Sequence, residues 1–194
     1  MSDHEREQQF VEEFQSKFRK YHVATDATPV FHWHTVRRLP RAGSIWSDES
    51  LTLRLNLGER IGEVQAGLYR TGSRYELSDK SGAVLSTVES VFAVEDLDTL
   101  DYTVRIAKDE ESNHLLLIED HSWSVQRIIL FNLSSPSQTP QYLRVPSRAS
   151  FAPVPHYEII GFREGRLFLQ QDGTVFALPV EILETTQDPV YGIG

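Results

Sequence analysis

The chain has 194 residues, 40 % of them hydrophobic and 10 % aromatic, which supplies one sizeable core and excludes wholesale disorder. It contains no cysteine, so disulfides, thiolate metal sites, iron–sulfur clusters and a cysteine nucleophile are excluded, and any metal would be held by His, Asp or Glu. With 28 acidic against 19 basic side chains the formal charge is -9, which repels a phosphate backbone, disfavours nucleic acid and favours a basic partner.

The first residues, MSDHEREQQF, lack the basic start and apolar run of a secretory signal, and no apolar stretch approaches the roughly 18 residues that span a bilayer. The expectation is a cytoplasmic protein without membrane contact. The spacing predicts one amphipathic helix over 2–22. Ser2 and Glu5 match the S-x-x-E capping box, and Phe10, Val11, Phe14, Phe18 and Tyr21 recur at helical steps as one apolar stripe. That stripe is expected to cover the chain's own sheet; the alternative is a structural or assembly subunit that dimerises through it.

From residue 29 to 183 the period changes to two, which predicts an antiparallel β body, with 184–194 as a tail and 1–194 as a single domain. In SLTLRLNLG, Leu51, Leu53, Leu55 and Leu57 share one face while Thr52, Arg54 and Asn56 share the other. Runs such as SRYELSD, AVLSTVESVFAV, HLLLIED, VQRIILFNL and RLFLQQ repeat the theme. Thr71-Gly72, Asp79 to Gly82, Glu164-Gly165 and Asp172-Gly173 carry turn chemistry that favours hairpins over helical crossovers. The fold class is therefore mainly β: an antiparallel meander, sandwich or partly closed barrel with one N-terminal helix. A stretch with Pro136, Pro140, Pro146, Pro153 and Pro155 predicts two surface loops around a short edge strand.

The P-loop, the dinucleotide fingerprint, H-E-x-x-H and G-x-S-x-G are all absent. Asp120-His121-Ser122 has the letters of a catalytic triad, but consecutive residues do not converge as a triad must, so a hairpin loop is expected. Asn132-Leu133-Ser134 matches a glycosylation acceptor by chance if the chain is not secreted. FHWHT is the sharpest chemical signal. On a strand its period of two puts His32 and His34 on one face, with Phe31, Trp33 and Thr35 on the other.

This H-x-H resembles that of cupin-type barrels, and the resemblance implies a metal held by His32, His34, a carboxylate and another histidine. The sequence departs from that pattern: Glu is absent from the following residues, and Arg37, Arg38 and Arg41 oppose a bound cation. The expectation is a pair of structural histidines with no cofactor, and a metal-dependent enzyme or sensor is the alternative.

Carboxylates concentrate at Glu95 to Asp101 and at Asp109-Glu110-Glu111, without the spacing of a calcium loop. Asp96, Asp98, Asp101, Asp109, Glu110 and Glu111 are the candidate partner-binding residues, as an acidic surface that steers a basic protein. Small acidic domains without catalytic motifs include the immunity proteins that neutralise toxins. The sequence thus points to a binding protein rather than an enzyme, an immunity-type inhibitor being the class it fits.

Overall fold

A computed structural model describes residues 2–65, 68–94, 103–120, 126–145 and 157–186. Helix α1 (Asp3–Lys17) starts as its sequence dictates: the Glu5 N–H donates to Ser2 Oγ at 3.2 Å and the Ser2 N–H donates to the Glu5 carboxylate at 2.6 Å. It is shorter than the apolar spacing predicts. Phe18 leaves helical geometry at φ -105°, ψ 15°, and a 3₁₀ turn (Arg19–Tyr21) carries the stripe onward. The helix docks on its own fold: Phe14 and Phe18 are buried, Phe14 stacks on Tyr157 at 5.5 Å, and it meets the Phe176 ring edge-on at 5.7 Å.

The strands are β1 (His22–Val23), β2 (His34–Arg37), β3 (Ala42–Ser47), β4 (Leu51–Gln65), β5 (Leu68–Asp79), β6 (Val84–Val94), β7 (Thr103–Asp109) and β8 (His114–Asp120). They continue with β9 (Gln126–Asn132), β10 (Gln141–Arg144), β11 (Glu158–Arg163), β12 (Arg166–Gln171), β13 (Thr174–Pro179) and β14 (Glu184–Thr186). All pairings among them are antiparallel, in three sheets, none closed into a barrel. The first sheet is the meander β3-β4-β5-β6. The middle sheet is β7-β8-β9-β10, widened by β2 beside β7 and β14 beside β10. The third is β11-β12-β13, completed by β1.

The middle sheet is buried on both faces. Val104, Ile106, Leu115, Leu117, Ile129 and Phe131 meet Leu53, Leu55, Tyr75, Leu77 and Val88 of the first sheet. Leu116, Ile118, Ile128 and Leu130 meet Ile159, Leu167, Leu169, Leu178 and the α1 phenylalanines. Leu115 to Ile118 are each 0 % exposed, so β8 needs an unbroken apolar run where a strand with one wet face would alternate.

Hairpin chemistry places two turns as expected: Glu164-Gly165 and Asp172-Gly173 have positive φ at both positions, the twist-matched form for two-residue loops. Thr71-Gly72 is different, since it lies within β5. Its neighbour β4 is irregular between Leu57 and Arg60, and a Cβ on Gly58 would come within 2.8 Å of the Gly72 carbonyl. The glycines serve a close backbone approach at a bulge rather than a turn. The strand body also reaches beyond 29–183, because β1 pairs with β13 and β14 with β10. Consequently β10, which its prolines mark as an edge, is an inner strand between β9 and β14.

Candidate functional site

Turns from all three sheets meet at one end of the molecule, and they are rich in carboxylates. Lys108 Nζ reaches Asp48 of the β3–β4 turn at 2.8 Å and Glu110 of the β7–β8 turn at 3.8 Å. The Gly165 N–H of the β11–β12 turn donates to Asp109 at 3.0 Å, joining the third sheet to the middle one. Beside it the Glu111 carboxyl is hydrogen-bonded to Glu164, and that bond together with the Glu164 charge holds the Glu111 pKa above its usual range. Glu110, Glu111, Glu164 and Glu181 are all exposed here.

Asp109 plays an internal part in this assembly. It is buried and accepts from the Ser112 hydroxyl, while the Ser112 oxygen lies 2.8 Å from His114 Nδ1. Burial works to raise the Asp109 pKa, but hydrogen bonds from Ser112 and from the Gly165, Glu164 and Glu111 N–H groups outweigh it and leave it lowered. Burial likewise lowers the His114 pKa against the pull of Asp109 and Glu181. Ser112 sits between acid and imidazole. A catalytic triad needs the imidazole in the middle, so Asp109, Ser112 and His114 are not arranged as one. Of the other expected partner-binding residues, Asp96, Asp98 and Asp101 lie outside the described residues, as do His121 and Ser122.

The two histidines of FHWHT are not brought to a common ligand. His32 precedes β2 and is exposed, whereas His34 Nε2 donates to the Ile45 carbonyl of β3 at 2.9 Å. Among the described residues no group of three or more His, Asp or Glu could hold a metal ion. The aromatic members of the motif anchor it. Phe31 packs against Phe168, tilted, with ring centres 4.9 Å apart, and lies so close over Gly161 that a Cβ there would be 2.1 Å from its ring. Trp33 Nε1 donates to the Ile160 carbonyl at 3.1 Å, and its ring carries the Arg105 guanidinium at 4.7 Å. Arg105 in turn makes a two-point contact with Asp120 at 2.6 and 3.0 Å and donates to the Ile159 carbonyl at 2.8 Å. The segment straps the middle sheet to the third.

A polar network that the sequence reading misses lies between the first and middle sheets. Glu119, 0 % exposed, accepts from Tyr75 Oη at 2.6 Å and Ser90 Oγ at 2.9 Å and pairs with Arg127 Nε at 2.9 Å. Burial, then the Glu119 charge, holds the Tyr75 pKa well above 10, and the same causes raise that of Tyr142. The sequence signal for this network is register. Glu119 follows Leu117 by two residues and Arg127 precedes Ile129 by two, so both charges sit in line with core leucine and isoleucine. The network is enclosed, which suits interior pairing and gives a substrate no access. A separate open cleft of about 390 Å³ runs between α1 and the β1–β13 edge, lined by Glu12, Arg19, His22, Thr174 and Phe176 among others.

No helix among the described residues is long and apolar enough to cross a membrane. In comparisons with known proteins, no family model, curated protein or solved structure matches the chain.

Proposed function

We propose that the chain is a non-enzymatic protein-binding domain, of the immunity-inhibitor kind, whose acidic end receives a basic surface on a partner protein. The supporting observation is the gathering of Asp48, Glu110, Glu111, Glu164 and Glu181 at turns that connect strands of separate sheets, with Lys108 and Arg163 as cations beside them. Like charges held together raise the energy of the free protein, and a cationic partner relieves that repulsion while long-range attraction speeds encounter. Asp96, Asp98 and Asp101 add to the same acidic balance through sequence alone.

The test is a pull-down from the host, followed by association kinetics of the captured protein at two ionic strengths. Glu110→Gln/Glu111→Gln/Glu164→Gln and Asp96→Asn/Asp98→Asn/Asp101→Asn are the comparison variants. Association should slow with salt, as the Debye length shortens to about 8 Å near physiological strength, and slow again in the first variant. A partner whose association rate ignores both changes defeats this reading. Stoichiometric zinc, iron, manganese or nickel in untagged protein, lost on mutating His32 and His34, would replace it with the metal-enzyme alternative.

A further inference from the structure

A sheet edge is a row of open N–H and C=O groups that can template another strand, and natural folds blunt such edges with short strands, bulges, charges or covering side chains. Among the described residues six strands end a sheet: β1, β11, β2, β14, β3 and β6. β1, β2 and β14 are short, at two, four and three residues. β11 is bulged between Ile159 and Gly161, and Arg105 and Trp33 occupy the carbonyls of Ile159 and Ile160. β3 is bulged between Ser44 and Trp46, and His34 occupies the carbonyl of Ile45.

β6 is bulged only at its start, between Val84 and Ser86, and is otherwise long and regular. It is eleven residues long and pairs with β5 in unbroken register from Ser86 to Val94. It contains no lysine or proline and one charge, Glu89, and among the described residues no strand pairs with its outer side. The layer beneath runs on past it. The middle sheet has six strands against four, and the His34–Ile45 bond ties β2 to β3, so the surplus falls on the β10–β14 side. There Tyr142 of β10 packs in the core beneath β6. Two residues on, along the same face, Arg144 and its cross-strand partner Glu184 remain 52 % and 58 % exposed. On the inner face of β6, the Ser86 hydroxyl is buried without a hydrogen-bond partner.

We propose that β6 is an acceptor edge for an extended segment of a partner protein, which adds a fifth strand to the first sheet with a Lys or Arg side chain opposite Glu89. The charge order across the outer face selects that chemistry. One cross-strand row reads Asn56, Arg74, Glu89, and Arg74 Nη2 contacts Glu89 at 3.2 Å, so the next member that continues the alternation is a cation. A second copy is the poorer occupant. Antiparallel pairing of β6 with itself over its full length would centre on residue 89 and set Glu89 against Glu89. This site is separate from the acidic turns and does not depend on that reading.

The probes are labelled nine-residue peptides of alternating Thr and Val with a central Lys or a central Glu, and a Lys version N-methylated through its middle amides. Fluorescence anisotropy should rank Lys above Glu by about two- to fivefold, and the methylated peptide should not bind. Glu89→Lys should reverse the ranking. Hydrogen exchange on the free protein should find alternate β6 amides fast, and slowed when the Lys peptide is present. Equal binding of methylated and unmethylated peptides, no peptide binding, or β6 amides already as protected as those of β5 in the free protein overturns the proposal. Concentration-dependent protection of β6 together with dimerisation in sedimentation also overturns it, by assigning the edge to a second copy.

Discussion

The two faces of the middle sheet are packed by different chemistry. Toward the third sheet and α1, the contact is aliphatic and aromatic, with Gln171 as a buried polar side chain near its end. Toward the first sheet, the same strands carry an aliphatic half and then the Glu119–Arg127 ion pair, whose carboxylate accepts from Tyr75 and Ser90 of the first sheet. The apolar contact is held by area, which is non-directional and tolerates small slips. The ionic contact is held by geometry, since each buried charge needs its partner in place. The expectation from this contrast is that the apolar contact contributes mainly stability, whereas the ion pair contributes mainly to the position of one sheet on another.

The largest expected effects test that division directly. Arg127→Ala leaves Glu119 buried without its counter-charge and should cost about 3 to 5 kcal/mol. Phe14→Ala, at a side chain 3 % exposed, should cost a similar amount, about 3 to 5 kcal/mol, through lost transfer energy and a cavity. A second substitution separates the two mechanisms. Glu119→Leu combined with Arg127→Met should recover most of the stability lost in Arg127→Ala, because an apolar pair of similar volume carries no desolvation penalty. Urea denaturation of the single and double variants decides it. A double variant as unstable as Arg127→Ala would show that the network contributes stability through more than its charge pair.

Gly161→Ala comes next and examines the strap rather than a core. The added methyl would collide with the Phe31 ring, and overpacking of this kind costs about 1 to 3 kcal/mol. Gly161→Ala/Phe31→Leu should regain part of that loss in thermal melts. A neutral Gly161→Ala would mean that the FHWHT segment lifts away at no cost.

The sequence disclosed these regions unequally, for identifiable reasons. The capping box at Ser2 and the stripe at Phe14 and Phe18 are local patterns, and α1 forms and docks accordingly. The mainly β class was equally legible from alternation at Leu51 to Leu57 and from the turn residues. β1 and β14 are two and three residues long, too short for any period, so their places depend on tertiary pairing. The α1 boundary escaped for a related reason: Tyr21 continues helical spacing but is delivered by a 3₁₀ turn. The Glu119 network joins Tyr75 across 44 positions of sequence, so register showed that a charge faced inward without showing its partners. Asp109 resembles its neighbours Glu110 and Glu111 in sequence, and only the fold turns it inward toward Gly165.

The smallest expected effect concerns pH at that acidic end, where three titrating groups carry different signs. The His114 pKa in the folded protein lies below 6.5, so its contribution is complete above 6.5 and is lost as pH falls through the folded value. The Asp109 pKa lies below 3.8, so its contribution is complete above 3.8 and is lost only in stronger acid. The Glu111 pKa is raised above 4.5, so mild acid strengthens its contact with Glu164 and opposes the His114 loss. Between pH 8 and 5 the melting temperature should therefore decline slightly, and His114→Gln should flatten the decline. Glu164→Gln should deepen it, because Glu111 then loses the neighbouring carboxylate that raises its pKa. A second, steeper fall should begin only below about pH 4, where carboxylates take up protons. Thermal melts of the three proteins across this range provide the measurement. An identical decline in His114→Gln and the parent would place the acid sensitivity outside the Asp109–Ser112–His114 chain, and the turn would then hold through its backbone bonds alone.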